Sequence, residues 1–157
     1  MGIADLAAYF FDSSALAKRY HPEIGTSKVD QIVQEASSLI RISRLTVVEL
    51  TSVLAIKVRT QVIGREDAGL LLRQFHEDIV SERLEVFSIG DQELELAEAL
   101  ISRHAFDRRL RTLDALQIAV AIGLRDQSLI DCFVSADKVL CEVAAAEGFL
   151  VLNPENS

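Results

Sequence analysis

Apolar residues along the chain fall into short unbroken runs and longer runs with helical spacing, and the two kinds alternate. Ala7-Ala-Tyr-Phe-Phe11 is a short aromatic run that stops at Asp12. Ser13 to Tyr20 then reads as a short helix, with Pro22 just beyond it as a stop. Thr26 can cap a helix through about Ala36, and Ser38-Leu-Ile-Arg-Ile-Ser43 has the pattern of a strand. From Thr46 to about Thr60 the apolar positions Val47, Val48, Leu50, Leu54 and Val58 recur with a helical period, and Gly64 ends the run. A further helix is predicted from about Asp67 to Ser81, where Leu71, Phe75 and Ile79 stand four apart. Arg83-Leu-Glu-Val-Phe-Ser-Ile89 alternates as a strand does, and Asp91 can cap a helix to about Ala105. After the basic loop Arg108-Arg-Leu-Arg111, Thr112 opens an Ala/Leu/Ile-rich helix to about Leu124. A strand at Asp131–Ser135, a helix from Ala136 to Glu147 stopped by Gly148, and a strand at Phe149–Leu152 complete the pattern.

Strands separated by helices make βαβ units, hence a mostly parallel sheet covered by helices with right-handed crossovers. In such sheets the functional crevice lies beyond the carboxyl ends of the strands. The 157 residues carry no internal repeat, low-complexity stretch or composition shift, so one domain is expected over 1–157. Half the residues are hydrophobic, which excludes a disordered chain. No uncharged apolar run approaches the ~20 residues that span a bilayer. The start, Met1-Gly-Ile-Ala-Asp-Leu6, lacks the basic region of a signal peptide and the hydroxyl residue of a myristoylation site. Cys132 and Cys141 make no disulfide framework, so a cytoplasmic location is expected. The net charge of −8 argues against a general basic footprint for nucleic acid, although a bound metal or a local patch reverses the field at a site.

Four carboxylates sit where a strand ends or a helix starts. Asp12 follows the first strand directly, Glu49 lies one turn after the second, Asp114 opens the apolar helix, and Asp137 follows Phe133-Val134 by three residues. A parallel sheet can bring all four to one edge. Each also has a bland reading. Asp12 can be a helix N-cap, Glu49 the return half of a capping box with Thr46, and Asp114 and Asp137 dipole partners of a first turn. Recurrence at successive strand ends favours the joint reading. Asp114 is the sharpest of the four, because a charge at the head of so apolar a helix needs a partner. Clustered carboxylates repel one another unless a cation is present. Mg²⁺ or Mn²⁺ takes such oxygen ligands and supports phosphodiester hydrolysis.

These segments resemble the PIN-domain ribonucleases, specifically the VapC toxins of bacterial toxin–antitoxin pairs. The resemblance runs from about Tyr9 to Pro154. It rests on Phe11-Asp-Ser-Ser-Ala-Leu-Ala-Lys-Arg-Tyr20 with Pro22-Glu23 and Gly25, Ser43-Arg-Leu-Thr-Val-Val-Glu-Leu50, Leu113-Asp-Ala-Leu-Gln-Ile-Ala119, Phe133-Val-Ser-Ala-Asp-Lys138 and the closing Gly148-Phe-Leu-Val-Leu-Asn-Pro154. The family's metal-binding acids carry over to Asp12, Glu49, Asp114 and Asp137. Ser13 matches a small hydroxyl residue beside the first acid. Ser135 matches a Ser or Thr near the metal, with a helix cap as its alternative. The resemblance implies a three-layer α/β/α sandwich, Mg²⁺ or Mn²⁺ dependence, and RNA as substrate. It also implies a homodimer neutralised by an antitoxin protein.

Arg108, Arg109 and Arg111 form the only dense basic run. They read equally as phosphate contacts or as a solvated loop. His21, His76 and His104 make no metal pattern and read as surface or hydrogen-bonded residues. Leu70-Leu-Leu72 with Phe75 and Ile79 reads as core, with a share available to a dimer or antitoxin surface. Two rivals compete with the nuclease: a catalytically silent PIN-like interaction module, and a receiver-like signalling domain. The second expects an adjacent acid pair after the first strand, whereas Asp12 stands alone.

Overall fold

The computed structural model of the chain describes residues 7–35 and 39–156. Among them five strands form one sheet in the order β3-β2-β1-β4-β5, with β1 (Ala8–Phe11), β2 (Leu39–Ser43), β3 (Leu84–Phe87), β4 (Cys132–Val134) and β5 (Val151–Leu152). Every pairing is parallel: Tyr9 stands opposite Ile40 on one side and Cys132 on the other. Seven helices among the described residues join the strands: α1 (Ser13–Tyr20), α2 (Thr26–Gln34), α3 (Arg44–Arg59), α4 (Arg65–Val80), α5 (Asp91–His104), α6 (Thr112–Asp126) and α7 (Lys138–Ala146).

Successive strand residues face opposite sides, and the central strand shows the result. Phe10 is fully buried on one face, stacked on Phe133 at 5.4 Å among residues of α5, α6 and α7. Phe11 is fully buried on the other, among residues of α1 to α4. Each such phenylalanine contributes about 1.5–3 kcal/mol relative to exposure. The two cores make the expected α/β/α sandwich. They also explain α6, which is buried at Ala115–Ile122 and Leu124 and so reads as nearly continuous apolar sequence. Helix α3 buries only Val47, Leu50 and Leu54 with Thr46, and leaves Val48 largely exposed.

Several helix starts differ from expectation. Helix α3 begins at Arg44 rather than Thr46, because Ser43 already caps it by accepting the Thr46 N–H at 3.4 Å. The Thr46–Glu49 capping box is therefore absent. Gly25, not Thr26, precedes α2, with φ 92°; a Cβ there would meet the Pro154 backbone at 3.0 Å. The Thr26 hydroxyl instead donates to the Lys18 carbonyl at 2.7 Å. Gly90 precedes α5, and its N–H donates to Glu93 at 2.8 Å. Helix α7 starts at Lys138, capped by Asp137, and β3 and β5 are shorter than predicted. The predicted end of α2 at Ala36, the start of β2 at Ser38 and the Met1–Leu6 stretch lie outside the described residues.

Of the histidines, His104 is buried with Nε2 2.8 Å from Glu147, and His21 Nδ1 lies 3.1 Å from Lys57. Phe75 is fully buried, whereas Leu70 is half-exposed. No helix among the described residues is long and apolar enough to cross a membrane.

Candidate functional site

Because the strands run one way, their carboxyl ends share a rim, and β1 lies at its middle. Asp12 follows β1, and its N–H still donates to the Val134 carbonyl at 3.1 Å. Its Oδ1 caps α1 by accepting the Ala15 N–H at 2.9 Å. A cap needs one oxygen. Ser135 Oγ donates to Oδ2 at 2.7 Å, and Ser14 Oγ lies 2.8 Å from both oxygens. The carboxyl is 3% exposed. Burial outweighs these three hydrogen bonds and pushes its pKa from 3.8 up to about 6.

Two hydroxyls join the turn after β1 to the turn after β4. Ser14 Oγ accepts the Ala136 N–H at 3.0 Å, and Ser135 Oγ accepts the Asp137 N–H at 3.0 Å. Asp137 Oδ1 accepts the Leu140 N–H at 3.0 Å and caps α7. Its Oδ2 lies 3.9 Å from Arg111 Nη2. Arg111 also donates from Nε to Asp114 Oδ2 at 3.3 Å, which supplies the partner that the head of α6 requires. Glu49 Oε1 accepts from Gln117 Nε2 at 2.8 Å, and its carboxylate takes a further hydrogen bond from Ser13.

The acids feel one another. Burial raises the pKa of Asp114, Arg111 opposes it, and the Asp137 charge adds to the rise. Burial raises Glu49 likewise, against hydrogen bonds from Gln117 and Ser13 and with help from the Asp114 charge. Asp137 adds to the rise at Asp12. The four acids are thus coupled across one rim. Arg111 is the cation paired with them among the described residues, and it is 67% exposed.

Of the three arginines, only Arg111 faces the acids. Arg108 lies 3.4 Å from His104 Nδ1 and 4.0 Å from Glu142, and Arg109 is exposed. Three residues at the rim were not expected. Ser14 stands out in the sequence only by its place two residues after Asp12. Gln117 is marked by being polar in an apolar run. Cys141 donates to the Ser135 carbonyl at 3.3 Å; burial pushes its thiol up to about 11, so it offers no thiolate at neutral pH.

Among the described residues no three His, Cys, Asp or Glu side chains stand arranged as a ready-made ligand set. The rim acids are held by their own partners: hydroxyls at Asp12, an amide at Glu49, a guanidinium at Asp114 and Asp137. The chemistry of the donors nevertheless suits a hard divalent cation, with carboxylate and hydroxyl oxygens and no imidazole. Burial, with a smaller push from a neighbouring acid, raises the pKa of Asp12, Glu49 and Asp114, and a bound cation would favour their ionised forms.

A family model of the PIN domain matches residues 9–146. No curated protein sequence matches the chain. Among solved structures, it is similar to VapC20 of Mycobacterium tuberculosis, described as a sarcin-ricin loop cleaving toxin. The identity is 18% over 90% of this chain and 96% of that one, with a TM-score of 0.66. It is also similar to FitAcB of Neisseria gonorrhoeae (15%, 95% and 99%, TM-score 0.64). VapBC2 of Rickettsia felis, bound to a DNA fragment from its promoter, matches at 15% over 93% and 98%, with a TM-score of 0.64. At these identities the likeness is one of fold.

Proposed function

The chain belongs to the PIN-domain family, and from that premise we propose that it is an endoribonuclease whose Asp12, Glu49, Asp114 and Asp137 hold Mg²⁺ or Mn²⁺. The observation that carries this reading is the meeting of four acids from separate elements at one sheet edge, where burial raises the pKa of Asp12, Glu49 and Asp114 and the charge of a neighbouring acid adds to each rise. When bound, the cation would acidify a water and offset charge on the scissile phosphate. The chain's own residues divide the remaining work. Asp12 is held rigid by Ser14, Ser135 and the Ala15 N–H. Glu49, half-buried and fixed by hydrogen bonds from Gln117 and Ser13, is placed to accept the proton of the attacking water. Arg111, exposed at the rim, meets the phosphate. Arg108 and Arg109 extend that contact outward along the RNA.

The resemblance to VapC toxins, together with neighbours that are toxin–antitoxin complexes, supports a cytoplasmic toxin. It would act as a homodimer silenced by an antitoxin protein, with residues 1–157 as one PIN domain. Cleavage of RNA by wild type, Asp12→Asn and Asp114→Asn, in Mg²⁺ or Mn²⁺ and in EDTA, tests the activity. Cation-dependent cutting lost in both variants is expected. Cutting in EDTA, or equal rates in the variants, would overturn the assignment. Unimpaired growth of cells producing the wild type would overturn the toxin role alone.

A further inference from the structure

We infer that Gln117 is a positioning residue: its carboxamide fixes Glu49 and sets the spacing between the acids of α3 and α6. The inference rests on the metal-nuclease reading and deepens it. Gln117 is the one polar side chain in the buried stretch Ala115–Ile122 of α6, and it is 2% exposed. All its hydrogen-bonding groups are directed at the junction of β2 and α3. Oε1 accepts from Ser43 Oγ at 2.9 Å. Nε2 donates to Thr46 Oγ1 at 2.8 Å and to Glu49 Oε1 at 2.8 Å. Both amide hydrogens are therefore committed, and the amide has one orientation. Turned over, it would set its carbonyl against the Glu49 carboxylate.

The frame behind it is equally rigid. Ser43 and Thr46 are fully buried, and Ser43 also caps α3. Gln117 lies three residues after Asp114 on the same helix, so the two share a side of α6. One amide therefore ties the Glu49 carboxylate to the element that presents Asp114. Groups that hold a ligating carboxylate from behind typically change metal affinity about 10–100-fold when removed.

Titration calorimetry with Mn²⁺ tests this on wild type, Gln117→Leu, Gln117→Asn, Glu49→Gln, Asp114→Asn and the double variant Gln117→Leu/Glu49→Gln. Gln117→Asn keeps an amide but falls one methylene short of Glu49, and it serves if the leucine variant does not fold. Either variant is expected to bind Mn²⁺ about tenfold or more weakly. For RNA, kcat falls and KM is unchanged. In the Glu49→Gln background the Gln117 change has no further effect on Mn²⁺ affinity. A folded Gln117 variant with wild-type affinity, or a full additional loss in the double variant, would overturn the positioning role. Absence of Mn²⁺ binding by the wild type, or undiminished binding by Asp114→Asn, would overturn the metal site itself.

Discussion

Replacing Asp12 by Asn isolates the energetic consequence of burying that acid. Its carboxyl is 3% exposed, and its pKa is raised from 3.8 to about 6, chiefly by desolvation. A folded-state pKa above the unfolded value means that the native protein holds the proton more tightly. The associated stability is complete below pH 3.8 and is lost as pH rises through about 6. Two units at 1.36 kcal/mol each make this about 3 kcal/mol in cation-free protein. Asparagine retains an oxygen for the Ala15 N–H and carries no charge. Its amide can donate to Ser14 or Ser135, whose hydroxyls rotate. In EDTA the variant should be more stable than wild type near pH 7 by about 1–3 kcal/mol, roughly 2–4 °C in Tm per kcal/mol. The advantage should vanish towards pH 4. Urea or thermal unfolding at intervals between those pH values gives the difference curve. Parallel curves for the two proteins, or a less stable variant at pH 7, would refute the reasoning.

Arg111→Ala removes the guanidinium that lies 3.3 Å from Asp114 and 3.9 Å from Asp137. The pair is exposed and worth about 1 kcal/mol at most, so Mn²⁺ should bind up to about fivefold more tightly, as read by calorimetry; weaker binding would contradict the counter-ion role. Glu147, held below the ordinary carboxylate range against its own burial by Arg103 and His104, adds stability at neutral pH. That stability is lost as pH falls through its lowered pKa. Glu147→Gln should melt below wild type at pH 7, with the gap closing in acid; a constant gap in melts from pH 7 to 3 would count against it. Leu50→Ala, in a fully buried position of α3, should cost about 2–5 kcal/mol by urea titration. Arg108→Ala/Arg109→Ala should weaken RNA binding and flatten its dependence on log salt by about 0.7 for each phosphate no longer neutralised; an unchanged slope would assign both residues to the solvated loop.

The alternation of elements and the acids at strand ends were readable in the sequence because each rests on local information. An apolar run that stops at Asp12, or a first turn that opens on Asp114, is visible within a few residues. Helix starts were less so. Ser43 and Thr46 are both competent caps three residues apart, and the backbone decided for Ser43. The order of strands was not readable either, since pattern alone does not say that β1 is central. Gln117 shows the limit most clearly. It appears in the sequence as one polar residue in an apolar helix, and its partners Glu49, Thr46 and Ser43 lie 68, 71 and 74 positions away. Only the packing of α6 behind β2 gives it a task.

The central place of β1 has a consequence for biosynthesis. Asp12 leaves the ribosome before the other three rim acids, yet Ser135, which holds its carboxyl, is made 123 positions later. At about 5–20 residues per second, the ribosome needs roughly 6–25 s to cover that distance. Throughout translation of the middle of the chain, β1 lacks β4 on one side, and its first acid has no Ser135 hydroxyl behind it. A truncated or stalled polypeptide that ends before β4 therefore carries three of the four acids but no assembled rim.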